Sequence, residues 1–119
     1  SLFERHLCVT EARHPIGAAA AILVVAGDPA IDAVPKAGSV RAFFLNGTQG
    51  IMFKKGVWHG LDCFPAKAEY VDYLFLSDAL TEDEIETSVA PVAGERTELY
   101  DFAAQEMSFQ VTDPLGLTS

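Results

Sequence analysis

Three histidines are the residues of this 119-residue chain best suited to proton transfer near neutral pH, namely His6, His14 and His59. His59 follows Trp58, and a large aromatic side chain beside an imidazole lowers the local polarity and shifts the imidazole pKa. His59 is therefore a candidate general acid or base. The alternative is a structural histidine whose ring nitrogens bond to nearby backbone groups.

Basic side chains near these histidines are candidates for binding a carboxylate. Arg13 precedes His14, and a guanidinium can hold a carboxylate through two parallel hydrogen bonds. The alternative for Arg13 is a surface ion pair with Glu11. Lys54 and Lys55 are further candidates, but adjacent strand residues point to opposite faces, so at most one of them can face a pocket.

A metal centre is a weaker possibility. A catalytic metal normally takes three protein ligands, and His14 and His59 supply only two. His6 could add a third from a neighbouring strand, whereas Ile16, two positions after His14, offers no ligand. We therefore expect no cofactor, with a bound divalent metal as the less favoured alternative.

Short apolar or alternating segments separated by turn residues predict a series of β-strands. The predicted strands cover residues 2–10, 18–26, 40–45, 50–54, 57–64, 69–76 and 107–112. Asn46-Gly47 predicts a hairpin turn between two of them. Many short strands joined by turns are typical of an antiparallel sandwich or barrel, so the chain is predicted to be all-β.

A short helix is predicted near the C-terminal third of the chain. Thr81 and Glu84 have the spacing of a capping box, and the helix is expected to end near Val89, before Pro91. Residues 94–105 fit either a helix or a strand.

Composition excludes two classes of partner. The net charge is −9 and only eight residues are Lys or Arg, which argues against nucleic acid because phosphate binding needs clustered cations. The longest apolar run, residues 17–27, is far shorter than the ~20 residues of a membrane-spanning helix. Two cysteines do not make a disulfide framework, so we expect a cytoplasmic protein with reduced thiols.

Four motifs resemble the ureidoglycolate lyases of purine (allantoin) degradation. Three lie close together, as Arg41-Ala42-Phe43, Asn46-Gly47-Thr48-Gln49-Gly50 and Val57-Trp58-His59. Upstream, Arg13-His14-Pro15-Ile16-Gly17 is similar to an Arg-His-Pro-Leu/Phe-Gly motif of that family. The resemblance covers residues 11–78 and leaves residues 79–119 as a C-terminal extension.

This resemblance implies a fold and an activity. The implied fold is a cupin-like small β-barrel, or double-stranded β-helix (jelly roll), with a short C-terminal helix, in one domain over residues 1–119. The implied enzyme is a homodimer that splits ureidoglycolate, or acts on a related small oxo or ureido acid, by histidine acid–base catalysis. The resemblance assigns proton transfer to His59 and a second acid–base role to His14. It assigns binding of the small carboxylate substrate to Arg13, Lys54 or Lys55, with Trp58 beside them.

Two other functions stay open. One is a non-catalytic cupin-like module for small-molecule binding or assembly, and the other is a metal-dependent cupin enzyme.

The chain also departs from the family pattern at Ala12, Ala19 and Gly60, where the family tends to have Glu, Gln and His. Because each change removes a polar group, we expect a more apolar pocket.

Overall fold

The computed structural model describes residues 2–27, 34–61, 63–87, 96–113 and 116–117. These residues form nine strands and one α-helix. The strands are β1 (Leu2–His6), β2 (Glu11–Pro15), β3 (Ala21–Ala26), β4 (Val40–Leu45), β5 (Ile51–Phe53), β6 (Trp58–Gly60), β7 (Phe64–Pro65), β8 (Tyr73–Leu76) and β9 (Thr97–Asp101). The helix is α1 (Ala79–Thr87), and 3₁₀ turns cover Ala37–Ser39 and Phe102–Gln105.

The strands form two antiparallel sheets. The larger sheet has six strands in the order β4-β3-β6-β1-β9, with β7 also paired to β3. The smaller sheet has three strands in the order β5-β2-β8. A mostly β chain with two antiparallel sheets and a single short helix is consistent with a cupin-like β sandwich, which confirms the predicted fold class.

The apolar core is divided between the two faces of the larger sheet. One buried cluster, against the smaller sheet, consists of Ala21, Leu23, Leu45, Phe53 and Cys63. The other lies on the opposite face and consists of Phe3, Ala26, Trp58 and Phe102. Burial on both faces explains why β3 is a continuous apolar run, Ala-Ile-Leu-Val-Val-Ala, without polar alternation.

The turn at Asn46-Gly47 does not make the predicted hairpin. Strand β4 pairs with β3 over all six of its residues, whereas β5 pairs with β2 in the other sheet. The Asn46 side chain accepts a hydrogen bond from the Thr48 backbone N–H at 3.0 Å, so the local turn is present. The prediction was wrong because a local reversal does not determine which strand becomes the partner.

Gly47 and Gly50 are required by close contacts with neighbouring backbone. Gly47 has φ of +93°, and a Cβ there would lie 2.4 Å from the carbonyl of Ala18. A Cβ at Gly50 would lie 2.6 Å from the Arg13 carbonyl oxygen. The two glycines of the Asn-Gly-Thr-Gln-Gly motif therefore let this turn pack against β2 and the loop that follows it.

The helix begins earlier than the capping box predicted. The Thr81 backbone N–H donates to the Asp78 carboxylate at 2.7 Å, which makes Asp78 the capping residue and lowers its pKa. The Thr81 side chain is buried and its hydroxyl accepts from Arg96 at 3.3 Å. The predicted end near Val89 lies outside the described residues.

Among the described residues no helix has both the length and the hydropathy needed to cross a membrane.

The last predicted strand is absent. Residues 94–105, which fitted either structure, contain β9 and then a 3₁₀ turn in their described part. Residues 107–112 pair with none of the strands in the described part of the chain; instead Phe109 packs edge-on against Phe3 and Phe102, with ring centroids 6.1 and 4.9 Å apart. This segment is held by ring contacts on the face of the larger sheet, so it cannot extend the sheet at its edge.

Candidate active site

Five buried polar side chains meet between the two sheets, and we call them the charged cluster. They are Glu4, His6, Glu11, Arg13 and His59. Strand alternation explains the set, because Glu4 and His6 are two residues apart on β1 and so share a face, as do Glu11 and Arg13 on β2.

The register places the rest of the cluster. Glu4 is the direct pairing partner of His59 on β6, and His6 is the partner of Thr97 on β9. Directly opposed residues in an antiparallel pair have neighbouring side chains on the same face. Three strands of the larger sheet therefore converge on the two charged residues of β2.

Glu11 is the centre of the hydrogen-bond network. Its Oε1 accepts from Arg13 Nε at 2.5 Å, and its Oε2 accepts from His6 Nε2 at 2.6 Å. Burial by itself would raise the pKa of Glu11, but the hydrogen bond from His6 and the neighbouring cationic groups outweigh it and lower that pKa. Glu11 is therefore ionised in the folded protein at neutral pH.

Arg13 ties the two sheets together. Besides Glu11, its guanidinium donates to the Gly60 carbonyl through Nη1 at 3.1 Å and to Glu4 Oε1 through Nη2 at 3.2 Å. These hydrogen bonds use three of the five N–H groups of the guanidinium, and the other two bond to none of these three acceptors. The pair with Glu11 that the sequence suggested does exist, but it is buried and not on the surface.

His59 carries the unused acceptor of the cluster. Its Nδ1 lies 3.1 Å from the Gly60 carbonyl oxygen, and because a carbonyl can only accept, Nδ1 carries the proton. Its buried Nε2 has no hydrogen-bond partner among the described residues and lies 3.9 Å from Glu11 Oε2. Burial lowers the pKa of His59 to about 4, so the ring is neutral and Nε2 has a free lone pair.

The aromatic ring against His59 is Phe53, not Trp58. The Phe53 and His59 rings stack with centroids 4.1 Å apart and planes 8° apart. Trp58 points to the opposite face of the sheet, where Arg5 lies 4.8 Å from its ring centroid. The sequence predicted Trp58 as the apolar neighbour of His59, whereas in the structure that neighbour is Phe53 on β5 of the smaller sheet.

Glu4 has the opposite electrostatic character to Glu11. Burial, opposed by the charge of His6 and reinforced by that of Glu11, raises the pKa of Glu4 to about 7. Near neutral pH a substantial fraction of Glu4 is therefore protonated. A neutral imidazole and a protonated carboxyl in one buried cluster are the groups that general base and general acid catalysis need.

His6 is held at both ring nitrogens. Its Nδ1 lies 3.0 Å from the Thr97 hydroxyl, while Nε2 donates to Glu11. Burial would lower the pKa of His6, but the hydrogen bond to Glu11 and the charges of Glu11 and Glu4 raise it overall.

Four members of the cluster could also hold a metal ion. One ligand atom from each of Glu4, His6, Glu11 and His59 lies within 4.8 Å of the others. A set of two imidazoles and two carboxylates suits Zn, Mn, Fe or Ni. His59 fits this role in particular, since metal-binding histidines commonly donate their other ring N–H to a backbone carbonyl.

The structure brings together only some of the residues singled out from the sequence. His59 and Arg13 lie in the charged cluster. His14, Lys54 and Lys55 are exposed, and His14 Nδ1 lies 2.7 Å from the carbonyl oxygen of Pro15. The roles that the sequence gave these three exposed residues stay predictions.

Glu4 was missed by the sequence reasoning, and Glu11 was considered only as a surface partner of Arg13. A usable signal was present: Glu4-x-His6 and Glu11-x-Arg13 each place two polar groups on one face of a short strand. The interior that faces His59 is rich in ionisable groups, and the expectation that this pocket is more apolar than that of the family stays a prediction. Ala12 removes nothing from this interior, since it lies on the other face of β2 from Glu11 and Arg13.

Comparisons with known proteins agree on one family. A family model described as "Ureidoglycolate lyase" matches residues 1–94. The chain is 44% identical over 59 residues to a ureidoglycolate lyase of Pseudomonas fluorescens (strain SBW25), a match covering 44% of this chain and 34% of that protein. It is 43% identical over 53 residues to a ureidoglycolate lyase of Pseudomonas aeruginosa (strain LESB58), a match covering 40% of this chain and 31% of that protein. The chain therefore spans about a third of the length of the curated relatives it matches.

Proposed function

The chain belongs to the ureidoglycolate lyase family, and we propose that it is a carbon–nitrogen lyase that eliminates urea from ureidoglycolate or from a related small ureido or oxo acid. The observation that carries this proposal is the buried Nε2 of His59, which has no hydrogen-bond partner among the residues that the structure describes, in a cluster that also contains Glu4 and Arg13.

The proposed reaction divides proton transfer between two groups. His59 Nε2 takes the proton of the substrate hydroxyl as the carbon–oxygen double bond of glyoxylate forms and the carbon–nitrogen bond breaks. Protonated Glu4 gives its proton to the departing urea nitrogen. His59 then carries an extra proton on Nε2 and Glu4 is ionised. Release of the Nε2 proton to water and uptake of a proton from water by Glu4, after the products leave, restore both groups.

Arg13 is the proposed group for the substrate carboxylate. Two of its N–H groups are not used in the three hydrogen bonds to Glu11, Glu4 and Gly60. A guanidinium held in place by buried acceptors binds a carboxylate with little further loss of side-chain freedom. This proposal gives the second acid–base role to Glu4 and not to His14, because Glu4 Oε1 lies 3.9 Å from His59 Nδ1 whereas His14 is exposed on the outer face of β2.

The test is urea release from ureidoglycolate by wild type and His59→Asn. Asn can keep the hydrogen bond to the Gly60 carbonyl while removing the Nε2 lone pair, and we expect a loss in kcat of about 10²- to 10⁴-fold. His14→Asn is the matched control, since His14 is exposed on the other face of β2, and it should release urea at the wild-type rate. Equal rates in His59→Asn and wild type would remove His59 from the mechanism. Binding of oxalurate without any urea release would favour the non-catalytic module instead.

A metal-dependent enzyme is the second candidate, because four ligand atoms lie within 4.8 Å of one another. Glu4, His6, Glu11 and His59 would hold the ion, which when bound would polarise a substrate oxygen as a Lewis acid. Metal analysis of protein without a His tag distinguishes the two candidates. A stoichiometric metal, with activity lost to a chelator and restored by that metal, favours this candidate; urea release by metal-free protein contradicts it.

We also propose a cytoplasmic homodimer. The outer face of the smaller sheet supports the dimer, since Met52, Leu74 and Leu76 are each more than half exposed there. Sedimentation of wild type and Leu74→Lys tests it. A wild type that stays monomeric at all concentrations contradicts the dimer.

A further inference from the structure

The first residue of β9 contacts the charged cluster although it lies beyond the region that the family model matches. That region ends at residue 94, and Thr97 begins the strand. The Thr97 side chain is fully buried, with 0% of its surface exposed, and its hydroxyl oxygen lies 3.0 Å from His6 Nδ1.

We propose that Thr97 is a positioning residue of the site: its hydroxyl holds the His6 ring in the orientation that keeps Nε2 on Glu11. An imidazole can turn over by a half rotation about its Cβ–Cγ bond, which exchanges Nδ1 with the ring carbon Cδ2 and Nε2 with the ring carbon Cε1. The contact between His6 Nδ1 and Thr97 Oγ1 opposes that exchange, because the turned ring would leave the hydroxyl facing carbon.

The orientation of His6 matters because Glu11 Oε2, the atom to which His6 donates, also lies near His59. His6 Nε2 donates to Glu11 Oε2, and this same oxygen lies 3.9 Å from His59 Nε2. Releasing His6 would free Glu11 Oε2 to move. Mutation of a residue that orients the side chains of a site commonly lowers activity 10- to 100-fold.

The residue type at position 97 supports the same conclusion. Val has nearly the same shape as Thr and is at least as well suited to a strand, so shape alone does not require a hydroxyl. A hydroxyl buried without a partner is costly, and the contact with His6 gives this one a partner.

The position of Thr97 is fixed independently of the His6 side chain. Strand β9 pairs with β1 at all five of its residues, and the Leu7 backbone N–H also donates to the Arg96 carbonyl at 2.7 Å. On the opposite face of the strand, Arg5 Nε donates to Glu98 at 2.6 Å. The strand therefore presents the hydroxyl to His6 from a rigid frame.

The experiment compares Thr97→Val with Thr97→Ser in the full chain. The His6 ring nitrogens are followed by ¹⁵N NMR, and urea release is followed in parallel; this second readout rests on the proposed function. We expect the Nδ1 signal of Thr97→Val to shift or to split between two ring orientations, with kcat lower by about 10- to 100-fold and KM little changed. Thr97→Ser should restore both the signal and kcat.

Glu98→Gln is the matched control, because it changes the adjacent residue on the opposite face, and its His6 signals should be those of wild type. If Thr97→Val does not fold, Thr97→Ala replaces it, since Ala adds no methyl group beside His6. Wild-type ring signals in the folded Val or Ala variant overturn the proposal, as does a Ser variant as impaired as Val. If wild type releases no urea the proposed function fails, and the ring signals still decide the role of Thr97.

Discussion

The two faces of β2 are the reverse of an ordinary sandwich strand. Glu11 and Arg13 point into the protein and are 1% and 2% exposed, whereas Ala12 and His14 lie on the outer face. In a sheet with one solvated face the apolar residues usually point inward. Hydrogen bonds across the sandwich, from Arg13 to Glu4 and from His6 to Glu11, compensate the desolvation of these inner side chains.

The outer face extends the contrast to the whole smaller sheet. Met52 and Leu76 are the register neighbours of Ala12, and Leu74 is the neighbour of His14, so these apolar side chains form one exposed surface. A buried ion pair contributes little net stability compared with apolar residues of the same size. Stability therefore does not explain the charged interior, whereas the proposed acid–base chemistry requires these groups.

Breaking the inner face should have the largest effect. Arg13→Met removes the cation from two buried carboxylates and should lower the free energy of unfolding by about 3–5 kcal/mol, measured by urea denaturation. His14→Ala, one position along on the outer face, should change it by no more than about 0.5 kcal/mol. Equal losses in the two variants would contradict the contrast.

Changing one ionisable group of the inner face should alter how stability depends on pH. Glu4 faces His6, Glu11, Arg13 and His59, and its pKa is raised from 4.5 to about 7. A raised folded-state pKa contributes stability that is complete below pH 4.5 and is lost as the pH rises through about 7. Between pH 5 and pH 8 this effect should lower the free energy of unfolding of the wild type by roughly 1–3 kcal/mol, and the decrease should be absent in Glu4→Gln. The measurement is the free energy of unfolding at each pH.

The acid side of the same profile is the control for Glu4→Gln. The pKa of His59 is lowered from 6.5 to about 4, so its contribution is present above pH 6.5 and is lost as the pH falls through about 4. That acid limb should be unchanged in Glu4→Gln. A variant that keeps the full alkaline loss would show that Glu4 is not the group responsible.

Changing the outer face should have the smallest effect on the isolated chain. Leu74→Ser and Met52→Ser should each alter the free energy of unfolding by no more than about 0.5 kcal/mol, since both side chains are more than half exposed. Denaturation at low protein concentration, where any dimer has dissociated, is the measurement. A loss above 1 kcal/mol under those conditions would mean that this face is covered within the chain.

Local patterns predicted the elements better than their partners. The strand at residues 40–45 was predicted with its observed bounds, because β-branched and aromatic residues between turn signals are a local property. The partner of that strand was predicted wrongly, since Asn46-Gly47 reverses the chain without selecting the strand that pairs. Likewise the helix was predicted but its capping residue was not, because Asp78 and Thr81 are both residue types that cap helices. In the structure Asp78 caps the helix, and the Thr81 hydroxyl instead accepts from Arg96, a residue distant in sequence.

By itself the sequence determined which groups are available and which neighbours share a strand face: it places Trp58 and His59 on opposite sides, and Glu11 with Arg13 on the same side. Tertiary structure alone decided that β1, β2 and β6 meet, which brings Glu4 to His59. It also decided the pKa values of these two groups, because burial and the charge of distant residues set them. Alternation is a property of adjacent residues, whereas the polarity around a side chain depends on strands that pair across the whole chain.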